Sequence, residues 1–269
     1  MKRAMIGVIM LGLAGVAHAD LIFTNASGNA WSTTANWLDK TTGLPVSRVP
    51  LSTDKVTLGA DGGPVLVDAA GAASHNLTLG TALTIGSAGT LSSRAVIFGS
   101  AASITNAGTL NMQLYIGVNK SSSVFDNTGD INSTTTAAAL SIKEGGTFNM
   151  LDGTFDAVGL LGATGNSGFL NLHGGTMTFT DVDWFDTGAA YYGGYEIDVA
   201  NDGELIVSGT NMVSYFQQAI TDGHLTGVNA DQVSFVGGNT IVAIPEPATI
   251  GLLGLGASTI LVIRRKMIL

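Results

Sequence analysis

A five-residue pattern recurs along the middle of this chain: Gly, then Thr or an acid, then apolar and polar residues in alternation. It stands at Gly108-Thr109-Leu110-Asn111-Met112, Gly146-Thr147-Phe148-Asn149-Met150, Gly175-Thr176-Met177-Thr178-Phe179 and Gly203-Glu204-Leu205-Ile206-Val207, with shorter copies at Gly89 and Gly129. Alternation over four or five residues marks strands with one buried face. The glycines at 89, 108, 129 and 146 are spaced 19, 21 and 17 residues, and a period of about 20 residues suits one coil of a solenoid. No coil can bury its apolar face alone, so coils stack and share a core. The recurrence favours an all-β parallel β-helix over a β-sandwich, which would show short strands without this repeat. Glycine at the corners is expected to supply positive φ. Asn111, Asn132 and Asn149, at like positions, are expected to form one amide ladder. Seven or eight coils between residues 55 and 207 would stack into a rod of roughly 35–40 Å.

Composition agrees. Of 269 residues 37 are Gly, only 12% are charged, and 45% are hydrophobic. That is too much glycine for a helical bundle and too much apolar residue for general disorder. There is no Cys, which excludes disulfides and thiolate metal sites. Lys2, Arg3, Arg264, Arg265 and Lys266 hold five of the eleven basic residues, so the segment between keeps six basic against all twenty acidic ones. This balance argues against nucleic acid or anionic lipid as a partner.

Both ends read as delivery segments. Residues 1–19 form a signal peptide: Lys2 and Arg3 are followed by an apolar run from Ala4 to Val16. Ala17-His18-Ala19 is the cleavage site, with Ala17 and Ala19 as its small residues, and signal peptidase would leave Asp20 as the mature start. At the other end Pro245-Glu246-Pro247 precedes an apolar stretch, Ala248 to Ile263, closed by Arg264-Arg265-Lys266. The stretch reads as a short transmembrane helix whose basic end stays cytoplasmic, placing the body on the outer face. The organisation is then signal peptide 1–19, N-terminal cap 20–54, β-helix body 55–210, C-terminal cap 211–243 and anchor segment 244–269.

The order Pro-Glu-Pro, apolar helix, basic cluster resembles the PEP-CTERM sorting signal of Gram-negative bacteria that make exopolysaccharide. The resemblance covers Pro245, Glu246, Pro247, the helix and the basic end. It implies recognition and cleavage near the Pro-Glu-Pro motif by an exosortase. Trp31, Asn36-Trp37, Pro45, Pro50 and Asp54-Lys55-Val56 resemble the opening segment of exported β-helical, autotransporter-like passenger proteins. The residues themselves agree, since Trp31 and Trp37 are bulky enough to cover the exposed end of a solenoid; stacking on sugar is the alternative. Residues 211–243 break the glycine rhythm: Ser214 to Ile220 suits a short amphipathic helix, and Gln232 to Val236 and Thr240 to Ala243 suit two closing strands.

Chemistry is sparse. Asp181, Asp183 and Asp186, with Trp184 between them, form the one dense acidic cluster, which reads as a solvated loop more readily than as a Ca²⁺ site. Asp152, Asp156 and Asp198 are further acids by repeat logic. Tyr191, Tyr192 and Tyr195 follow at once, and tyrosines beside acids can bind glycan. His75, His173 and His224 stand alone in the sequence and read as structural. The mature body has few basic side chains to pair with its acids in catalysis, and it lacks a G-x-S-x-G elbow. No cofactor and no catalytic residue is expected. The sequence reads as an exported structural or adhesive protein of the cell surface or extracellular matrix, held transiently in the inner membrane and associated with exopolysaccharide. A glycan-binding module or a polysaccharide-degrading enzyme on the same scaffold is the alternative.

Overall fold

The computed structural model describes residues 18–161, 168–180 and 195–244. The chain opens with β1 (Asp20–Phe23), β2 (Trp37–Asp39), β3 (Lys55–Leu58) and β4 (Val65–Val67). Three long strands then alternate with short ones: β5 (Ala72–Leu79), β6 (Ala82–Ile85), β7 (Thr90–Phe98), β8 (Ser103–Asn106), β9 (Thr109–Val118) and β10 (Val124–Asn127). The next strands are β11 (Asp130–Ser133), β12 (Ala139–Ile142), β13 (Thr147–Met150), β14 (Thr154–Ala157), β15 (Gly159–Leu161) and β16 (Gly168–Leu172). β17 (Thr176–Phe179), β18 (Tyr195–Val199) and β19 (Glu204–Ser208) complete the coiled part. Helix α1 (Val213–Thr221), β20 (Leu225–Thr226), β21 (Val233–Val236) and β22 (Asn239–Ala243) close it.

These strands form a parallel β-solenoid with three faces. β5, β7 and β9 each bend across a corner, so one strand serves two faces. In the next turn that path divides: β11 continues the first half of β9, and β12 continues the second half. The remaining face is the 8-stranded sheet β4-β6-β8-β10-β13-β16-β18-β20. About six turns are complete, fewer than the seven or eight expected. The reason is that one face carries only β3, β5, β7, β9, β12 and β15 among the described residues.

The core follows from alternation held in register. Val65, Leu83, Ile104, Phe125, Phe148, Leu170, Ile197 and Leu225 pair from strand to strand, and all are buried. Phe98, Phe125, Phe148, Phe155 and Phe179 run through the interior with neighbouring ring centroids 4.9–6.1 Å apart. Each such side chain contributes about 1.5–3 kcal/mol by leaving water.

Corner glycines serve a purpose other than the one expected. A Cβ on Gly89 would lie 2.2 Å from the Val67 carbonyl oxygen. On Gly108 it would lie 2.3 Å from the oxygens of Gly86 and Gly89, and on Gly129 2.1 Å from that of Gly108. Gly153 meets Gly129 and Gly175 meets Gly153 in the same way. Only Gly153 and Gly175 of this stack also have positive φ. The dominant requirement is close backbone approach between rungs, which excludes any side chain.

Gly146 belongs to a different corner, where its Cβ would meet the Val118 oxygen at 2.0 Å. The amide ladder divides for a similar reason. Asn132 Nδ2 donates to Asn111 Oδ1 at 3.3 Å on one face. Asn149 lies on another, donating to Asp126 at 2.6 Å and accepting from Asn171 at 2.7 Å. A further pair, Asn106 and Asn127, points inward and is fully buried. Asn106 Nδ2 donates to Asn127 Oδ1 at 2.6 Å, and Asn127 Nδ2 donates to the Gly129 carbonyl at 2.8 Å. These bonds satisfy buried amides and tie the ladder to the glycine corner.

The N-terminal segment closes one end. β1 pairs with β3 in parallel and with β2 antiparallel. Trp31, Trp37 and Phe23 are buried edge-to-face, with centroids 4.9–5.1 Å apart. Trp31 N–H donates to the Leu66 carbonyl, and Leu66 N–H donates to the Asn29 carbonyl, both at 2.8 Å, which covers the free edge of β4. Both tryptophans therefore act as a cap, with no ring face open to a sugar.

Asp54 pins the cap. It is fully buried and accepts from both guanidinium nitrogens of Arg48, from Leu51 N–H at 2.8 Å and from Ala19 N–H at 3.1 Å. Burial pushes its pKa up, but the bonds from Arg48, Leu51 and Ala19 outweigh burial and hold the carboxyl below its ordinary 3.8. A carboxylate with a lowered pKa in the fold stabilises it above the ordinary value, and that contribution is lost as pH falls through the lowered one. Arg48→Met should therefore lower the urea midpoint at pH 7. The loss lies near the low end of the about 3–5 kcal/mol that breaking a buried pair costs, because Arg48 is itself 38% exposed. The difference from wild type should shrink as pH falls below 3.8, read by urea titration across pH.

Candidate functional site

Two regions can carry function: the outward faces of the solenoid and the segment that leaves its C-terminal end. The outward columns are polar and stacked rung on rung. On the 8-stranded face the column reads Thr84, Thr105, Asp126, Asn149, Asn171, Asp198 and Thr226. On a second face Asp130 accepts from Thr154 Oγ1 at 2.8 Å. Carboxylates here take hydrogen bonds from neighbouring rungs and hold the ladder.

The most structured polar group lies near the end of that column. His173 Nε2 is 2.8 Å from Asp198 Oδ2, and Thr226 Oγ1 donates to Asp198 Oδ1 at 2.7 Å. Hydrogen bonds from Thr226 and then His173 hold the Asp198 carboxyl below its ordinary value, against the opposing effect of burial. His173 is thus partnered, not isolated as its sequence context implies. His173 lies two residues after Asn171, the register partner of Asp198 one rung away, a relation that only the register shows. Beside them a cavity of about 120 Å³ is lined by residues including Phe169, Asn171, Glu196 and His224. That is smaller than a typical ligand pocket of about 300–1,000 Å³. A wider groove of about 390 Å³ is lined by residues including Ser133, Thr135, Thr136, Asp156 and Thr180.

Of the residues singled out for glycan binding, Asp181, Asp183, Trp184, Asp186, Tyr191 and Tyr192 lie outside the described residues. Tyr195 is described, and it is a correction: it is 3% exposed and packs in the core. Its hydroxyl lies 3.5 Å from the Ile142 N–H as acceptor, and burial pushes its pKa up. As the first residue of β18 it alternates inward with Ile197 and Val199, so register assigns it to packing. Among the described residues no group of three or more His, Asp or Glu converges to hold a metal. Asp152 instead accepts from the Gly153 N–H at 2.7 Å.

At the C-terminal end α1 covers Ser214 to Ile220 as expected, and β21 and β22 form an antiparallel hairpin around Gly237 and Gly238. Both glycines have positive φ, as a tight hairpin turn requires. β22 is paired on both sides, to β19 and to β21. Its last residue, Ala243, sits opposite Glu204, and Ile244 packs against the core. Pro245, Glu246 and Pro247 follow with no spacer. These three, with Arg264, Arg265, Lys266 and Ala17, lie outside the described residues. Among the described residues no helix is long and apolar enough to cross a membrane; the expected anchor and signal helices fall beyond them.

No curated protein and no solved structure matches the chain. Residues 243–266 match the family model of the PEP-CTERM protein-sorting motif, beginning on the last residue of β22. The chain is therefore an exported β-solenoid protein that carries a PEP-CTERM sorting motif, by which it is transiently anchored in the membrane and processed by an exosortase.

Proposed function

We propose that the protein is a structural or adhesive component of the cell surface or extracellular matrix of a Gram-negative bacterium, associated with exopolysaccharide and acting without catalysis. The observation that carries this reading is the direct continuity of the sorting motif with a self-satisfied rod. Several outward acids and amides bond to one another along the rungs, as Asp126, Asn149 and Asn171 do. Such side chains build a stiff polar ladder, whereas a hydrolase or lyase needs carboxylates freed for proton transfer.

Delivery completes the proposal. A signal peptide over residues 1–19 is cut by signal peptidase after Ala19. In its favour, β1 begins at Asp20, the residue at which the mature chain would start; the cut removes the Ala19 N–H bond to Asp54 and leaves those from Arg48 and Leu51 in place. A transmembrane helix over 248–263 then holds the folded body on the outer face until the exosortase releases it. Replacing Pro245, Glu246 and Pro247 by alanine should leave unprocessed protein in the membrane fraction. Immunoblotting of fractionated cells reads this, and normal release would contradict the sorting role of those residues.

Glycan binding is the second reading. It is favoured by Phe169, an aromatic ring 37% exposed on the 8-stranded face, next to Asn171 and Glu196 at the small cavity. Rings in such settings stack on sugars. The purified body should leave acidic polysaccharides at their original chain length, measured by size-exclusion chromatography. Shortening of the polymer would overturn the non-enzymatic proposal.

A further inference from the structure

The C-terminal end of the rod is unlike the rest of its surface. β21 is the terminal strand of the 14-stranded sheet, beyond β22. Along the coils, alternation buries every second residue, but on β21 only Val233 is buried while Ser234, Phe235 and Val236 are exposed. Among the described residues no strand pairs with its outer edge, and α1 packs against part of it. Phe235 is 44% exposed and Val236 60%.

The position of the chain exit says what this end meets. Strands run across the stacking direction, so β22 and then β21 are the last two rungs of this sheet. The sorting motif begins on Ala243 of β22, and Ile244 is packed against the core. The described chain thus ends one strand from that edge, and the sorting motif follows in the sequence without a linker. The hairpin tip stands about 17 Å from the exit, five residues of β22 at about 3.4 Å each. Between residues 211 and 243 there is no Lys or Arg, and the acids are Asp222 and Asp231. Electrostatic attraction to anionic lipid is therefore absent, and apolar insertion at the interface is the available interaction.

We propose that the C-terminal end of the solenoid, led by Phe235 and Val236, rests on the outer leaflet of the membrane that holds the sorting segment, so that the rod stands end-on. This rests on the anchored state implied by the sorting motif. In that arrangement the N-terminal cap points away from the membrane.

Because the chain has no Cys, single labels are simple to place. Ser234→Cys leaves Phe235 and Val236 intact, and Leu44→Cys reports the opposite cap, where Leu44 is 64% exposed. Each full-length variant, with its sorting segment retained, carries an environment-sensitive dye and is reconstituted into phosphatidylcholine vesicles with or without headgroup-linked nitroxide lipid. Position 234 should be quenched several-fold more than position 44, and adding F235S and V236S should remove most of that difference. Equal quenching at both positions in protein that floats with the vesicles would overturn the end-on proposal alone. Failure to float would refute the anchor on which it stands. Shielding of position 234 from both lipid and aqueous quenchers would overturn it in favour of a second copy at this end.

Discussion

Parallel strands in this protein stack about 4.8 Å apart, and at one corner that spacing leaves no room for a side chain. Gly89, Gly108, Gly129, Gly153 and Gly175 each place their α-carbon where a Cβ would strike the carbonyl oxygen of the preceding rung. The rest of the structure depends on this approach. With the corner in register, apolar residues two apart on each strand fall into continuous inward columns, and the Phe98–Phe179 series meets ring to ring. The same register brings polar residues of adjacent rungs within hydrogen-bond reach. In a chain without disulfides, packing and ladders supply the cohesion an exported rod needs.

Much of this was legible in the sequence. The glycine rhythm and strict alternation identify stacked strands, and their failure after residue 210 marks the closing helix and hairpin. The assignment of residues to faces was not legible. Spacings of 19, 21 and 17 suggested one row of equivalent glycines, but the rung partner of Gly129 is Gly153 and Gly146 turns another corner. A coil with three corners offers three glycine positions per turn, and spacing alone cannot say which one is occupied. Asn149 was misgrouped for that reason. Asn106 and Asn127 were missed because an inward amide is identical in sequence to an outward one; only its bond to the glycine corner distinguishes it.

The candidate sites show the same division. Tyr195 sits beside acids and other tyrosines in the sequence, which suggests a binding surface, yet strand parity turns it inward. His173 and Asp198 are far apart in the chain and adjacent in space, since one turn brings their rungs together. The sorting motif needed no fold to be seen, being a local order of residues. What the fold adds is its placement: the motif starts where the last doubly paired strand stops, so delivery and architecture meet at one residue.

The central claim is that backbone contact at the glycine stack sets the rung register. Gly129→Ala tests it, because Gly129 does not have positive φ and the substitution therefore isolates the contact with Gly108. Gly59→Ala is the comparison, since its Cβ would have only Ile22 Cδ1 nearby, at 3.9 Å. By urea denaturation Gly129→Ala should destabilise the body by about 1–3 kcal/mol or more, as forcing atoms into a packed interior does, while Gly59→Ala stays close to wild type. Equal midpoints for the two variants would contradict the account.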